Sequence, residues 1–225
     1  MGLLLYTLSA VLDFLFPRSC VICDTQGSYL CNSCQNSKFS LSDRNFCHVC
    51  YKFLDESPVN HQECLKVSSL DAVYAVVNYN KHAAAILFEI KYNFYFAVAD
   101  DVAAMMLAKI AEIDLDYTTI IPVPLSRKRK WWRGFNQSEL LAAKLGGKDF
   151  KSLLRSKYKH PQVGLGRKER QQNIKDAFIV TRSFAGEKVL LIDDVFTTGS
   201  TLEECARVLK AAGADKVYAL VWARD

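Results

Sequence analysis

Two patterns in this sequence combine residue types and spacings that can do chemistry. The first begins with the apolar residues 189–192, continues through Asp193 and Asp194, and ends in a loop rich in hydroxyl side chains. Four successive apolar residues are typical of a parallel strand covered on both faces, and ligands of such sheets bind at the carboxyl ends of the strands. Because adjacent side chains of an extended strand point apart, we expect the chain to turn at the acids if both serve one ligand.

The loop after the acids has the composition of a phosphate cradle. Gly199 makes backbone N–H groups accessible at the start of the next helix, where an anion is favoured. The acids would take ribose hydroxyls or magnesium-bound water, and a purely structural role is disfavoured because charged pairs have few uses in a core. The predicted sugar-phosphate site consists of Asp193, Asp194, Val195, Thr197, Thr198, Gly199, Ser200 and Thr201.

This order of strand, acid pair and T-T-G-S-T loop resembles the 5-phosphoribosyl 1-pyrophosphate (PRPP) motif of type I phosphoribosyltransferases. The resemblance implies that PRPP binds with magnesium, loses pyrophosphate through an oxocarbenium-like transition state and is captured at C1 by a nitrogen nucleophile. Asp193 and Asp194 are the candidate catalytic residues, holding the ribose hydroxyls, and the protein's share is mainly electrostatic and positional. Thr197 stands where 6-oxopurine enzymes of this class carry an aspartate base, which disfavours purine salvage and leaves the acceptor open.

The second pattern is a concentration of cysteines. Seven of the eight lie between Cys20 and Cys64, where three C-x-x-C pairs and one H-x-x-C pair have the spacing of metal knuckles. A disulfide framework is the alternative, but a phosphoribosyl substrate belongs to the reducing cytosol, which favours zinc. The predicted ligands are Cys20, Cys23, Cys31, Cys34, Cys47, Cys50, His61 and Cys64.

Eight ligands would serve two zinc ions, and closed coordination would make both sites structural. The first two pairs are separated by only seven residues, so the zinc site that they form is the better supported of the two. The second group depends on His61, which is also compatible with an ordinary surface histidine, so one ion or two remain open. His48, inside the third pair, is expected to pack or to donate a hydrogen bond.

The first sixteen residues are strongly apolar, but we expect neither a signal peptide nor a transmembrane segment. They lack a basic start and a small-residue cleavage site, carry Asp13, and are too short to cross a bilayer. A docking helix is favoured over a membrane-surface anchor. The predicted organisation is a hydrophobic helix over residues 1–18, a zinc-finger module over 19–68 and a phosphoribosyltransferase-like domain over 69–225.

The composition is that of a globular chain. A length of 225 residues with 50% hydrophobic content allows one core plus a small module, and the net charge of +5 favours anionic ligands only weakly. From about residue 69, strand-like and helix-like segments alternate, which predicts an α/β fold with a parallel sheet flanked by helices. Strands are expected at 72–79, 118–123 and 217–222, and helices at 81–92, 97–113 and 201–212, with Cys205 buried on the last helix.

A basic loop is expected after the strand at 118–123. Arg127, Lys128 and Arg133 can bind pyrophosphate. Trp131 and Trp132, with the neighbouring cations Arg129 and Lys130, can stack on the bases of a single strand of nucleic acid. A solvated basic turn is the plain alternative.

A third segment, Q-x-x-L-x-R from Gln162 and R-x-x-N from Arg170, is polar and contains glycine before it becomes a strand at Phe178. This composition is compatible with a mobile lid that excludes water and brings cations to the leaving pyrophosphate. An ordinary surface loop is an equal alternative.

Together, the cysteine knuckles, the P-V-P-L-S-R-K-R-K-W-W-R-G-F-N-Q run, the segment from Gln162 to Phe178 and the I-D-D-V-F-T-T-G-S-T run resemble the ComF/GntX family over nearly the whole chain. The L-x-x-I-K-Y sequence matches the family's short helix motif and adds Lys91 as a candidate PRPP-binding cation. Two departures are Lys159, where the family usually has threonine, and His61, which replaces a knuckle cysteine.

The resemblance implies a bacterial cytoplasmic protein associated with natural competence and with incoming single-stranded DNA. Its partners would be PRPP, single-stranded DNA, and competence helicase and recombination-mediator proteins. Three functions stay open at this point: a competence factor that binds PRPP and DNA, an active phosphoribosyltransferase with an unidentified acceptor, and a non-catalytic DNA-binding factor with a vestigial PRPP pocket.

Overall fold

The computed structural model describes residues 18–40, 46–52, 61–93, 95–155 and 174–225. The predicted hydrophobic N-terminal helix and most of the candidate lid, from Gln162 to Asn173, lie outside the described residues. No helix within the described ranges combines the length and the apolarity that crossing a membrane requires.

Four parallel strands form the central sheet, in the order β1-β6-β5-β2, and β3 and β4 form a separate antiparallel pair. This sheet confirms the predicted α/β class. The strands are β1 (Ala72–Asn78), β2 (Thr119–Pro122), β3 (Leu153–Arg155), β4 (Phe178–Val180), β5 (Lys188–Phe196) and β6 (Lys216–Arg224). The helices are α1 (Asn32–Lys38), α2 (Gln62–Leu65), α3 (Lys81–Tyr92), α4 (Val98–Ile113), α5 (Arg127–Arg133), α6 (Gln137–Lys144) and α7 (Ser200–Ala211).

The central strand β5 is buried on both faces because its side chains alternate between two apolar layers. Leu190 and Ile192 pack with residues of α3, α4 and α6 on one face of the sheet. Val189 and Leu191 pack on the other face with α7, whose Cys205 is buried as expected. The cysteine-rich segment joins both layers, since Phe39 contacts Trp222 and Phe46 contacts Phe196.

The expectation of a basic loop after β2 is wrong, because residues 127–133 form the short helix α5. The Ser126 hydroxyl accepts a hydrogen bond from the Arg129 N–H at one end of the helix. Gly134, in the left-handed region with φ of 80°, ends the helix and donates its N–H to the Lys130 carbonyl. An N-cap serine and a terminal glycine therefore turn the basic run into a helix.

Strand β5 also differs from expectation. It does not turn at the acids but continues to Phe196, because its main chain still pairs with β6 at Asp193, Val195 and Phe196. The turn begins only at Thr197.

Candidate functional site

The acid pair, Asp193 and Asp194, lies in the second half of β5 and is held by the first turn of α6. The Ser138 hydroxyl donates to Asp193 Oδ1 over 2.8 Å, and Gln137 Nε2 donates to Asp194 Oδ2 over 3.1 Å. The ammonium group of Lys91 forms an ion pair with the same Asp194 oxygen. Although β5 stays extended, one helix start reaches both carboxylates, so both can serve one site.

Burial and the neighbouring Asp194 charge raise the pKa of Asp193 to about 7, while the Ser138 hydrogen bond acts in the opposite direction. Asp194 is buried, and the Asp193 carboxyl group is surrounded by protein atoms although the residue as a whole keeps some solvent exposure. A carboxyl group with its pKa near neutrality changes its charge readily when a ligand arrives, which is common at functional sites. Carboxylate oxygens are also the donors that magnesium prefers, directly or through water, so the pair fits that ion chemically.

The hydroxyl loop, defined as residues 197–201, follows β5 and includes the first two residues of α7. Asp193 and residues 195–202 line a small cavity of about 40 Å³. Gly199 has a φ of +67°, and a Cβ atom added there would lie 2.8 Å from Cε2 of Phe196. Glycine is therefore required at this position for two reasons, its backbone conformation and the Phe196 ring.

Helix α5 places the predicted cations in two environments. Arg127, Lys128 and Arg129 are exposed on it, and Lys130, also exposed, pairs with Glu139. Arg133 is partly buried, and its Nη1 donates to Gln137 Oε1 over 2.5 Å. Since Gln137 also donates to Asp194, it links Arg133 of this helix to the acid pair.

The two predicted aromatic residues of α5 are strongly exposed, Trp131 at 86% and Trp132 at 71%. The Trp132 ring lies 6.3 Å from the Tyr92 ring, which lies 5.0 Å from the Phe88 ring. Phe88 and Tyr92 are also exposed, at 53% and 43%. We call Phe88, Tyr92 and Trp132 the aromatic row. Lys91, which pairs with Asp194, immediately precedes Tyr92, and Arg133 covers the Tyr92 ring at 5.3 Å, so the row adjoins the site.

Phe88, Tyr92, Gln137 and Ser138 were not predicted as site residues. Phe88 and Tyr92 stand four positions apart, a spacing that puts them on one helix face. Gln137 and Ser138 occupy the first turn of a helix that follows the basic run. By contrast, Trp222 and Phe196 are buried core residues, so neither offers a free aromatic surface to a nucleobase.

The predicted metal ligands gather in two separate clusters, the first with four cysteines and the second with three cysteines and His61. In each, the donor atoms lie within 4.8 Å of one another. In the first cluster the N–H groups of Cys31 and Cys34 point at the sulfurs of Cys20 and Cys31, at 3.5 and 3.4 Å. Four thiolates, or three with one imidazole, fit a tetrahedral structural zinc site. The first cluster is Cys20, Cys23, Cys31 and Cys34, and the second is Cys47, Cys50, His61 and Cys64.

Comparison with known proteins agrees with this division. Residues 11–67 match the model of the double zinc ribbon domain, and residues 133–225 match that of the phosphoribosyl transferase domain. Competence protein F of Haemophilus influenzae is 31% identical over 207 residues, covering 86% of this chain and 88% of the relative. DNA utilization protein YhgH of Escherichia coli K12 is 28% identical over 206 residues, covering 86% and 88%. Competence protein ComFC of Streptococcus pneumoniae is 27% identical over 220 residues, covering 96% of each chain. With a double zinc ribbon, a phosphoribosyl transferase domain and these relatives, the chain belongs to the ComF family of competence proteins.

Proposed function

We propose that this chain binds PRPP with magnesium at the acid pair and the hydroxyl loop, and single-stranded DNA on the adjacent aromatic row, during natural transformation. It would act in the cytoplasm, where an incoming strand meets helicase and recombination-mediator proteins. The observation that carries the PRPP assignment is the acid pair itself. Its two carboxylates are held by Ser138, Gln137 and Lys91 beside a hydroxyl-lined cavity at the carboxyl end of β5.

Each part of the ligand has a proposed partner. Asp193 and Asp194 face the ribose hydroxyls, with magnesium-bound water as a further contact. The hydroxyls and N–H groups of the loop hold the 5′-phosphate at the amino end of α7, where the helix favours an anion. Arg133 is the preferred cation for the pyrophosphate because Gln137 ties it to the acid pair, and Arg127 and Lys128 of the same helix are further candidates.

Calorimetric titration with magnesium and PRPP tests this assignment. The Asp193→Asn/Asp194→Asn double variant should lose binding, because neutral amides cannot replace the carboxylates toward ribose hydroxyls and the metal. Asp116→Asn is the matched control: Asp116 pairs with Lys188 at the opposite, amino end of β5 and should leave affinity unchanged. Undiminished binding by the double variant contradicts the assignment.

Single-stranded DNA binding is supported by a separate observation. The aromatic row presents three neighbouring, exposed rings beside the cations of α5, and every nucleobase has a face that can stack on an exposed ring. The relatives named as competence and DNA utilization proteins agree with this ligand. Anisotropy of a labelled oligothymidine should show affinity that falls steeply with salt, because cations on the protein release counterions from the phosphates.

Changing Trp131 and Trp132 together to alanine should weaken this DNA binding at every salt concentration. Tyr79→Ala is the control, since Tyr79 is 41% exposed but lies outside the row. Equal loss in both variants would mean that DNA binding does not use this surface.

Transfer of the phosphoribosyl group is the open chemical question. If magnesium and PRPP bind but no pyrophosphate is released with any nucleobase, nucleoside or DNA acceptor, PRPP acts as a ligand and the protein is a binding factor. Release of pyrophosphate that depends on both Asp193 and an added acceptor establishes a transferase.

A further inference from the structure

The second metal cluster lies against the hydroxyl loop through the residue that follows Cys50. The Tyr51 hydroxyl donates a hydrogen bond to the Thr198 carbonyl oxygen over 3.0 Å. The Tyr51 ring also lies 6.0 Å from the ring of Phe196, the last residue of β5. One side chain of the zinc ribbon therefore contacts both the end of the strand and the middle of the loop.

A second contact comes from the residue before Cys47. The Phe46 ring packs against Phe196 at 5.6 Å, and the Arg224 guanidinium covers Phe46 at 4.3 Å from its centroid. Phe196 in turn lies against Gly199, since a Cβ there would be 2.8 Å from the Phe196 ring. The packing continues from Phe46 through Phe196 to the glycine of the loop.

A third contact follows Cys64. The Ser69 N–H donates to Glu203 Oε1 over 2.5 Å, and the Ser68 hydroxyl donates to Glu203 Oε2 over 2.7 Å. Glu203 belongs to the first turn of α7. The segments next to Cys47, Cys50 and Cys64 thus contact the residues immediately before, within and after the hydroxyl loop.

The turn from Cys47 to Tyr51 determines where Tyr51 lies. The Tyr51 N–H donates to the Cys47 carbonyl over 2.7 Å, and Tyr51 has a φ of +63°. A residue other than glycine adopts this left-handed conformation at a cost, so the surrounding turn must hold it there. A metal ion bound by Cys47, Cys50, His61 and Cys64 would close that turn and supply the constraint.

We propose that Tyr51 is a positioning residue for the hydroxyl loop, so that the second cluster of the zinc ribbon forms the outer wall of the PRPP site. This inference rests on the proposed function for the identity of the ligand. The contact between Tyr51 and the loop does not depend on that function. By holding the Thr198 carbonyl, Tyr51 would fix the orientation of that peptide and thereby of the neighbouring loop N–H groups that are proposed to bind the phosphate. The ribbon would thereby determine affinity for PRPP in addition to stabilising the chain.

Tyr51→Phe tests the inference, because it removes one hydroxyl and keeps the ring against Phe196. Hydrogen exchange of the amides of residues 197–201 should accelerate, and magnesium-PRPP affinity should fall about fivefold, the usual effect of one lost hydrogen bond. Zinc content should stay that of the unchanged protein, and the thermal midpoint should fall by no more than about 2–4 °C, the effect of one lost hydrogen bond. Tyr29→Phe is the matched control, since Tyr29 packs against Tyr95 near the first cluster.

The two hypotheses fail in different ways. Absence of PRPP binding by the unchanged protein removes the proposed function, and the exchange measurement still decides whether Tyr51 orders the loop. If Tyr51→Phe has the same hydrogen exchange and the same PRPP affinity as the unchanged protein, Tyr51 has no positioning role. Faster exchange with unchanged affinity also overturns it, because the loop order would then not matter to the ligand.

Discussion

The Ser138 hydroxyl donates a hydrogen bond to Asp193 Oδ1 over 2.8 Å, joining the start of α6 to the carboxyl end of β5. The two residues are 55 positions apart in the sequence. The bond stabilises the charged form of Asp193 and lowers its pKa, against the larger effects of burial and of the Asp194 charge. The acid is thus kept close to the boundary between its charged and neutral forms.

This balance predicts how stability depends on pH. The pKa of Asp193 rises from 3.8 to about 7 on folding. A group with a raised pKa contributes stability that is fully present below 3.8 and is lost as the pH rises through about 7. Asp193→Asn cannot ionise and does not lose this stability. The free energy of unfolding of the variant, minus that of the unchanged protein, should therefore increase by more than about 1 kcal/mol as the pH rises from 3.8 to about 7.

Urea denaturation at a series of pH values measures this difference. Comparing two proteins at each pH cancels the titration of the cysteine ligands, which both share. Asp116→Asn serves as control, because its exposed surface pair with Lys188 should give a difference that varies little with pH. A difference for Asp193→Asn that is constant with pH would show that Asp193 titrates normally.

Gly199 provides a prediction about the hydroxyl loop with a built-in control. Gly199→Ala adds strain in the left-handed region and a Cβ only 2.8 Å from the Phe196 ring. Gly186→Ala adds comparable strain, with φ of +75°, but meets nothing within 4 Å. Both should cost about 1 kcal/mol for the backbone. Thermal unfolding should show a further cost only for Gly199→Ala, which should also lose magnesium-PRPP binding. Equal destabilisation of the two variants would mean that Phe196 does not pack against the loop.

The sequence predicted those parts of the site that are contiguous along the chain. The strand, the acid pair and the hydroxyl loop follow one another directly, and the cysteine pairs carry their metal spacing locally. Gln137 and Ser138 were missed because their role depends on how α6 packs against β5, more than fifty residues away. Tertiary contacts of this kind have no local signature.

Helix α5 was missed for a different reason. Its signals were present, an N-cap serine at Ser126 and a glycine at Gly134, but the density of charge favoured a loop. The end of β5 was placed too early because the pairing with β6 that keeps Asp193 extended depends on a strand that comes later in the chain. Local patterns thus identified the basic run and the acid pair, but they gave the wrong secondary structure for the basic run and the wrong end for β5.

Removal of zinc should disturb the core as well as the ribbon. Cys20 and Cys34 are buried in the same apolar layer as Trp222, and Phe39 packs on Trp222 at 5.7 Å. In a Trp131→Phe/Trp132→Phe background, Trp222 is the one remaining tryptophan. A zinc chelator should then shift its emission to longer wavelength, because water reaches the indole, and added zinc should reverse the shift. Unchanged emission after zinc loss would show that the ribbon does not support this layer.

The aromatic row would extend the proposed DNA surface from α5 to α3, where the sequence predicted no nucleic-acid contact. Phe88 and Tyr92 are exposed, Tyr92 adjoins Trp132, and Arg133 covers the Tyr92 ring at 5.3 Å. Phe88→Ala/Tyr92→Ala should weaken oligothymidine binding by at least tenfold, because stacking contributes about 1–3 kcal/mol per base. Their effect should be small on an abasic oligonucleotide of equal charge, which retains phosphate contacts but offers no base to stack. Equal losses on both oligonucleotides would assign the row to packing, since altered folding weakens phosphate contacts and base contacts alike. A loss confined to the base-containing strand would place nucleobases next to Lys91 and hence beside the acid pair.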